Sequence, residues 1–247
     1  MPSPPAWLGH SWLAPQYLGW LGQGLLLTAW LALLVCVLGT LLGIVLTALA
    51  DSQHKAPRYV AQLFLTAHRN TPLMVQLLLW YFGMPSLLPE SALMWLNAPH
   101  ALALPFGLQL PWPSFEFLAA LLALSCYGAS FIAGELAAGL NAVPRGQREA
   151  AKALGLTALQ AFRWVILPQA LVIVRRPLLG QYTGIIKNTS LTMAIGVAEL
   201  SYRSRQVESQ TLLTFQAFAV ATVLYLALIL LWQLAGRSRE PAWRGAR

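Results

Sequence analysis

Two basic side chains lie where a chain this apolar should hold none. Arg69 sits nine residues into an apolar stretch that begins at Val60, and Lys187 sits ten residues past Pro177 in another. A cation at a transmembrane helix centre costs about 2.5–3.5 kcal/mol on insertion scales, so such residues face a bundle interior or a wet cavity. Asn70 and Thr71 follow Arg69; Asn188, Thr189 and Ser190 follow Lys187. Pro72 removes a backbone donor and can break the helix beside Arg69. Arg69, Asn70, Thr71, Lys187, Asn188 and Thr189 therefore read as the lining of a polar path between two interrupted spans, where a cation could meet a carboxylate. The competing reading makes Arg69 and Lys187 helix locks bonded to backbone carbonyls. The residues alone leave both open.

Other chemistry is missing. The three lysines, Lys55, Lys152 and Lys187, never follow a glycine, so there is no Gly-Lys-Ser/Thr phosphate loop and this chain is not its own ATPase by that route. His10, His54, His68 and His100 show no metal-ligand spacing. Cys36 and Cys126 both fall inside apolar runs and read as buried thiols, neither a disulfide nor a metal pair. No serine elbow or paired-carboxylate motif occurs, which argues against an enzyme. Glu135 lies near the inner end of the third span and is expected to pair with a basic residue or to line the exit.

The elements that must position these residues are membrane spans. Of 247 residues, 57% are hydrophobic and 10% charged, with mean hydropathy +0.60. A soluble domain carries about 25% charged residues. Five apolar runs emerge, at about 20–49, 60–84, 114–142, 177–198 and 212–235. None alternates as barrel strands do, so the chain is expected to be an all-α integral membrane protein with five transmembrane helices in one domain over 1–247. Net charge is +8. Lys55, Arg58, Arg145, Arg148, Lys152, Arg163, Arg175, Arg176 and the tail arginines Arg237, Arg239, Arg244 and Arg247 fall on one side, whereas Arg203 and Arg205 fall on the other. This bias sets the N-terminus outside and the C-terminus in the cytoplasm, with anionic lipid rather than nucleic acid as the partner of the positive charge. The N-terminal stretch has no Lys or Arg, which argues against a cleaved signal peptide. The outer loop, 85–113, is rich in proline, with Trp95 and Trp112 suited to an interface and a short helix expected over 90–96.

Between the third and fourth spans lies a charged, helix-forming island, Pro144–Pro168, within a cytoplasmic loop, 143–176. Arg148–Leu154 contains good helix formers, and Gly155 is a C-cap candidate. Thr157 can start a second helix, Ala158–Ile166, which Pro168 should end. Ala150, Ala151 and Ala153 keep the first helix thin enough for a partner's groove. A plain interfacial cap on the bundle is the alternative.

The island resembles the "EAA" loop of permease subunits of ATP-binding-cassette (ABC) importers: Glu149-Ala150-Ala151, then Gly155, then Leu167-Pro168, with Val165 where that pattern has isoleucine. Three further segments resemble the polar amino-acid branch of that family: Arg69-Asn70-Thr71-Pro72-Leu73-Met74-Val75-Gln76, Lys187-Asn188-Thr189-Ser190-Leu191 and Ile195-Gly196-Val197-Ala198-Glu199-Leu200. The similarity runs from about Trp20 to Trp232, and the piece Pro85…Leu88-Pro89-Glu90…Trp95 is most similar to glutamate/aspartate permeases. One departure stands. A Glu-x-x-Arg pair frequent in the family would fall at Gly134 and Ala137, and Glu135 is one residue out of register.

The resemblance implies a type I ABC importer permease fold in the bacterial cytoplasmic (inner) membrane. It implies an ATP-driven importer of polar amino acids, acidic or broad in range. Glu149, Ala150, Ala151, Gly155, Leu167 and Pro168 would couple the chain to a separate ATPase dimer, which binds the ATP and Mg that this chain does not. Other implied partners are a second permease subunit, identical or related, and an extracytoplasmic amino-acid-binding protein. The rivals are a same-fold permease for another small solute and an ion-coupled secondary carrier. Five spans without a detectable inverted repeat, plus the island, argue against the carrier.

Overall fold

The computed structural model describes residues 12–98, 101–103, 109–111 and 113–237. His10, His100, Trp112, Arg239, Arg244 and Arg247 lie outside the described residues. Eleven helices are described: α1 Pro15–Ala50, α2 Lys55–Asn70, α3 Leu73–Leu78, α4 Met84–Leu87, α5 Glu90–Asn97, α6 Phe115–Ala142, α7 Arg145–Ala153, α8 Ala158–Ala161, α9 Leu167–Asn188, α10 Leu200–Thr211 and α11 Thr214–Arg237. Among the described residues the fold is all-helical apart from a three-residue antiparallel ribbon between α5 and α6, where Ala101–Ala103 pairs with Gln109–Pro111.

Among the described residues, four helices are long and apolar enough to cross a membrane: Pro15–Ala50, Phe115–Ala142, Ala158–Ile195 and Thr214–Gly236. The first, third and fifth expected runs thus appear as single helices. The second does not. Its chain breaks at Thr71–Pro72, where Thr71 turns extended (φ −107°, ψ 131°), and resumes as a shorter apolar helix over Leu73–Leu87. A π-helical turn, Leu79–Gly83, joins α3 to α4.

The fourth run differs from expectation at both ends. Pro168 does not end the island's second helix, and Pro177 lies inside α9 instead of starting the span. The cause is a second π-helical turn, Phe162–Ile166, in which Leu167 N–H donates to Phe162 O. A π bulge widens the ladder and so seats a proline without a break. At the far end, α9 tightens into a 3₁₀ helix over Thr189–Ile195 that stops at Gly196 (φ +91°).

The chain forms two compact units. Leu33–Ile185 makes one. There, α6 packs against α2 and α3. Leu46, Ala61, Ala129 and Ala133 form a core edged by Leu42, Phe64 and Leu65. Close approach rests on Gly43, where a Cβ would meet Ile132 Cγ2 at 2.9 Å. Small residues at such contacts let membrane helices touch backbone to backbone. Cys36 is buried and Cys126 partly so, both as free thiols.

Residues to Ala32 and from Ile186 make the other unit. Leu21, Leu200, Val207, Ala217 and Ala221 form its core. At its centre is a fully buried carboxylate, Glu199, in the connection between the 3₁₀ helix and α10. Glu199 caps α10 by accepting from Tyr202 N–H at 2.9 Å. It also accepts from Tyr225 OH of α11 at 2.6 Å and from Thr28 of α1 at 3.4 Å. One carboxylate thereby ties three helices, and burial pushes its carboxyl above the ordinary glutamate value despite those hydrogen bonds.

Glu199→Leu strands three donors and should lower stability by about 2–4 kcal/mol, read as a drop in Tm in detergent. Glu199→Gln should cost less. Because the folded pKa is raised, the folded state binds this proton more tightly than the unfolded chain. The contribution is complete below the unfolded value and declines as pH rises through the folded one. A Tm-versus-pH curve should show that decline in the native chain and lose it in Glu199→Gln.

Candidate functional site

The break at Thr71–Pro72 places Arg69 and Asn70 at the exposed end of α2. Arg69 turns its guanidinium onto α6, where Nε donates to Ser130 O at 2.9 Å and Nη2 donates to the same oxygen. A helical carbonyl is normally screened by the side chain one turn on. Here that residue is Gly134, and a Cβ there would lie 2.8 Å from Nη2. The missing side chain is therefore the seat of the guanidinium. Nη1 makes no protein hydrogen bond among the described residues, so Arg69 is anchored on one edge and open on the other. Arg69 thus makes the bond to a backbone carbonyl that one of its two readings expects.

Gln76, buried in α3, is a site residue that the sequence reading does not single out. Its Nε2 donates to His68 O and to Thr71 O, each at 2.9 Å, and its Oε1 is buried without a partner. An orphaned buried carbonyl costs about 1–3 kcal/mol. Two carbonyls are satisfied at the expense of one amide oxygen, a net gain. A signal for it exists, since Gln76 closes the Arg69–Gln76 segment four residues after the proline.

In the other unit, Lys187 is exposed at the end of α9, and Asn188 beside it is half-buried. Thr189 is fully buried, with its hydroxyl donated to Ile186 O at 2.7 Å. Ser190 likewise donates to Lys187 O at 2.7 Å. These hydroxyls satisfy carbonyls where the helix tightens, so Thr189 and Ser190 build the corner that carries Lys187 and Asn188. Glu135 accepts from Gln181 Nε2 at 2.9 Å, a neutral partner instead of the basic one that the first of its two readings expects.

The island is a compact two-helix unit. Gly155 takes φ +77° after α7, and Leu156 N–H donates to Ala151 O while Gly155 N–H donates to Lys152 O. This is a Schellman stop, for which glycine supplies the left-handed residue. Thr157 then opens α8 with a reciprocal capping box to Gln160. Val143, Ile166 and Ala170 form a core beneath, and Ala151 is buried. Glu149 and Ala150 are exposed, Leu167 is half-buried and Pro168 exposed. Leu154 is 80% exposed, Leu159 74% and Trp164 59%, a large apolar surface for a charged segment. No cluster of metal-ligating side chains occurs among the described residues.

Residues 39–244 match the family described as binding-protein-dependent transport system inner membrane component. The chain belongs to that family. It is 28% identical over 212 residues to the glutamate/aspartate import permease protein GltJ of Escherichia coli, covering 86% of this chain and 82% of the relative. To the histidine/lysine/arginine/ornithine transport system permease protein HisM of Salmonella typhimurium it is 31% identical over 225 residues, covering 91% and 90%. The crystal structure of an amino acid ABC transporter with histidines superposes with TM-score 0.74 at 28% identity, covering 90% and 92% of the chains. As an inner-membrane component of this family, the chain has the type I ABC permease fold and is a transport subunit, not an enzyme. The ATPase is a separate chain, and the family implies a binding protein as a further partner.

Gly134→Ala displaces the Arg69 guanidinium, the far end of a flexible side chain, from Ser130 O and should cost about 1–3 kcal/mol through the lost charged hydrogen bonds. With Arg69→Ala already present, the same change meets no side chain and should instead stabilise α6 by up to about 1 kcal/mol, the helix preference for alanine. Thermal unfolding of the four variants reads the reversal of sign.

Proposed function

We propose that this chain forms part of the transmembrane path of an ATP-driven importer for polar amino acids, acidic or broad in range, in the bacterial cytoplasmic membrane. The observation that carries the reading is the match over residues 39–244, with named amino-acid permeases on both sides of the charge range among the relatives. Two permease subunits, identical or related, enclose the path. An ATPase dimer holds ATP and Mg, and an external binding protein delivers the cargo. The N-terminus faces out, and the island and C-terminus face the cytoplasm, in keeping with the side on which the basic residues gather.

Glu149, Ala150, Ala151 and Gly155 present the island to the ATPase, and Leu167 with Pro168 passes its movement to α9. Arg69, Asn70 and Thr71, and in the other unit Lys187, Asn188 and Thr189, border the path. The open edge of Arg69 suits the carboxylate common to every amino acid, so it favours the class without choosing the member. ATP-bound and ATP-free partners differ in affinity for the two access states, and that difference drives the switch.

Reconstitution in vesicles with the ATPase and binding protein tests this. ATP-dependent uptake of glutamate, glutamine or arginine is expected. Uptake by the permease without an ATPase would overturn the proposal in favour of a carrier. Glu149→Lys and Gly155→Trp should insert normally yet lower ATP-driven uptake by about tenfold or more, the scale of a typical coupling energy. Gly155→Trp acts also through its left-handed backbone. Lys187→Ala should lower uptake per inserted molecule by about tenfold or more, the loss of one charge-assisted contact. Equal uptake would assign Lys187 to structure.

A further inference from the structure

We propose that Gln76 is a positioning residue of the path: its side-chain amide holds the Arg69–Pro72 corner by standing in for the backbone donor that Pro72 lacks. In an uninterrupted helix the carbonyl of His68 would accept from the N–H of residue 72. That residue is proline and has none. The carbonyl of Thr71 is also left over, because the first backbone bond after the break runs from Gln76 N–H to Pro72 O. The Gln76 side chain reaches both orphans with one nitrogen, at 2.9 Å each, from a site only 5% exposed.

The identity of the side chain follows from that task. Two hydrogens from one neutral atom are needed, in a position shielded from water. Lysine or arginine would bring an unneutralised charge, and glutamate would set a carboxylate against two carbonyl oxygens. The buried Oε1 without a partner shows which half of the amide the corner uses. Arg69 and Asn70 lie between the two clamped carbonyls, so the clamp fixes the backbone that carries them. Arg69 also needs a fixed origin to reach Ser130 O. Gln76 touches no cargo in this account. It acts through Arg69, so the transport consequence rests on the importer reading above.

The test is a cycle of Gln76→Leu, Pro72→Ala and the double variant in the full chain, assembled with its ATPase and binding protein. Pro72→Ala also lifts the bar that a following proline sets on a helical Thr71, so residue 72 can turn into the helix and donate to His68 O, and the clamp then loses one of its two duties. Gln76→Leu should lower Tm clearly when Pro72 is intact and much less in the Pro72→Ala background. Equal drops in both backgrounds would overturn the clamp, because a side chain needed only for packing is indifferent to residue 72. This readout needs no cargo and stands even if the importer reading fails. In vesicles, Gln76→Leu should raise the half-saturating concentration for uptake of glutamate, glutamine or arginine by about tenfold (whichever the native complex moves) with a smaller change in maximal rate. Gln76→Glu should behave like Gln76→Leu. An unchanged half-saturating concentration in both would overturn the positioning role, whereas no uptake of any of the three by the native complex would overturn the importer reading instead.

Discussion

A backbone carbonyl that loses its helical donor away from water must find another, and this structure is organised around that requirement. A span without interruptions meets it automatically, as α1 does over 36 residues. The informative places are those where the ladder is cut. At Thr71–Pro72 a glutamine side chain replaces the missing donor. At Pro168 the ladder widens by one residue. At Asn188 it tightens, and threonine and serine hydroxyls cover the displaced carbonyls. Each interruption is a local solution to one electrostatic problem, and two of the three lie beside a basic residue in an apolar run.

The same rule governs the charges. Arg69 sits on a carbonyl exposed by a glycine, and Glu199 sits on a helix N-terminus and two hydroxyls. Neither carries its charge toward an opposite charge in these contacts. An ion pair would satisfy both partners and leave little for anything else. A guanidinium anchored by two donors to one neutral oxygen keeps the rest of its hydrogen-bonding capacity and its whole charge. The role proposed for Arg69 on the path depends on that remaining capacity.

Much of this was legible in the residues. The island's glycine stop and threonine start follow from local backbone preference, and the structure forms both caps at Gly155 and Thr157. The break at Pro72 also follows from local chemistry. The fate of Pro168 does not, because a π turn has no compositional signature and depends on what packs beneath Ile166. Pro177 was misleading for a related reason: it lies inside α9, where the sequence offered it as a natural beginning. The seat of Arg69 was illegible as well. Gly134 is recognisable as a departure, but only geometry shows that its empty side is filled from another helix.

The continuity across Pro168 has a mechanical consequence. Had the proline broken the chain, the island would have been a tethered pair of helices joined to the fourth span by a flexible stretch. Instead the helical path from Ala158 runs through the π turn into α9, and α7 packs against that turn, where Val143, Ile166 and Ala170 form a core. A packed core has low compressibility and transmits displacement. The packing and the unbroken helix therefore leave no loop between the island and α9. The Schellman stop sets the turn between α7 and α8. The coupling proposed for the island rests on that continuity.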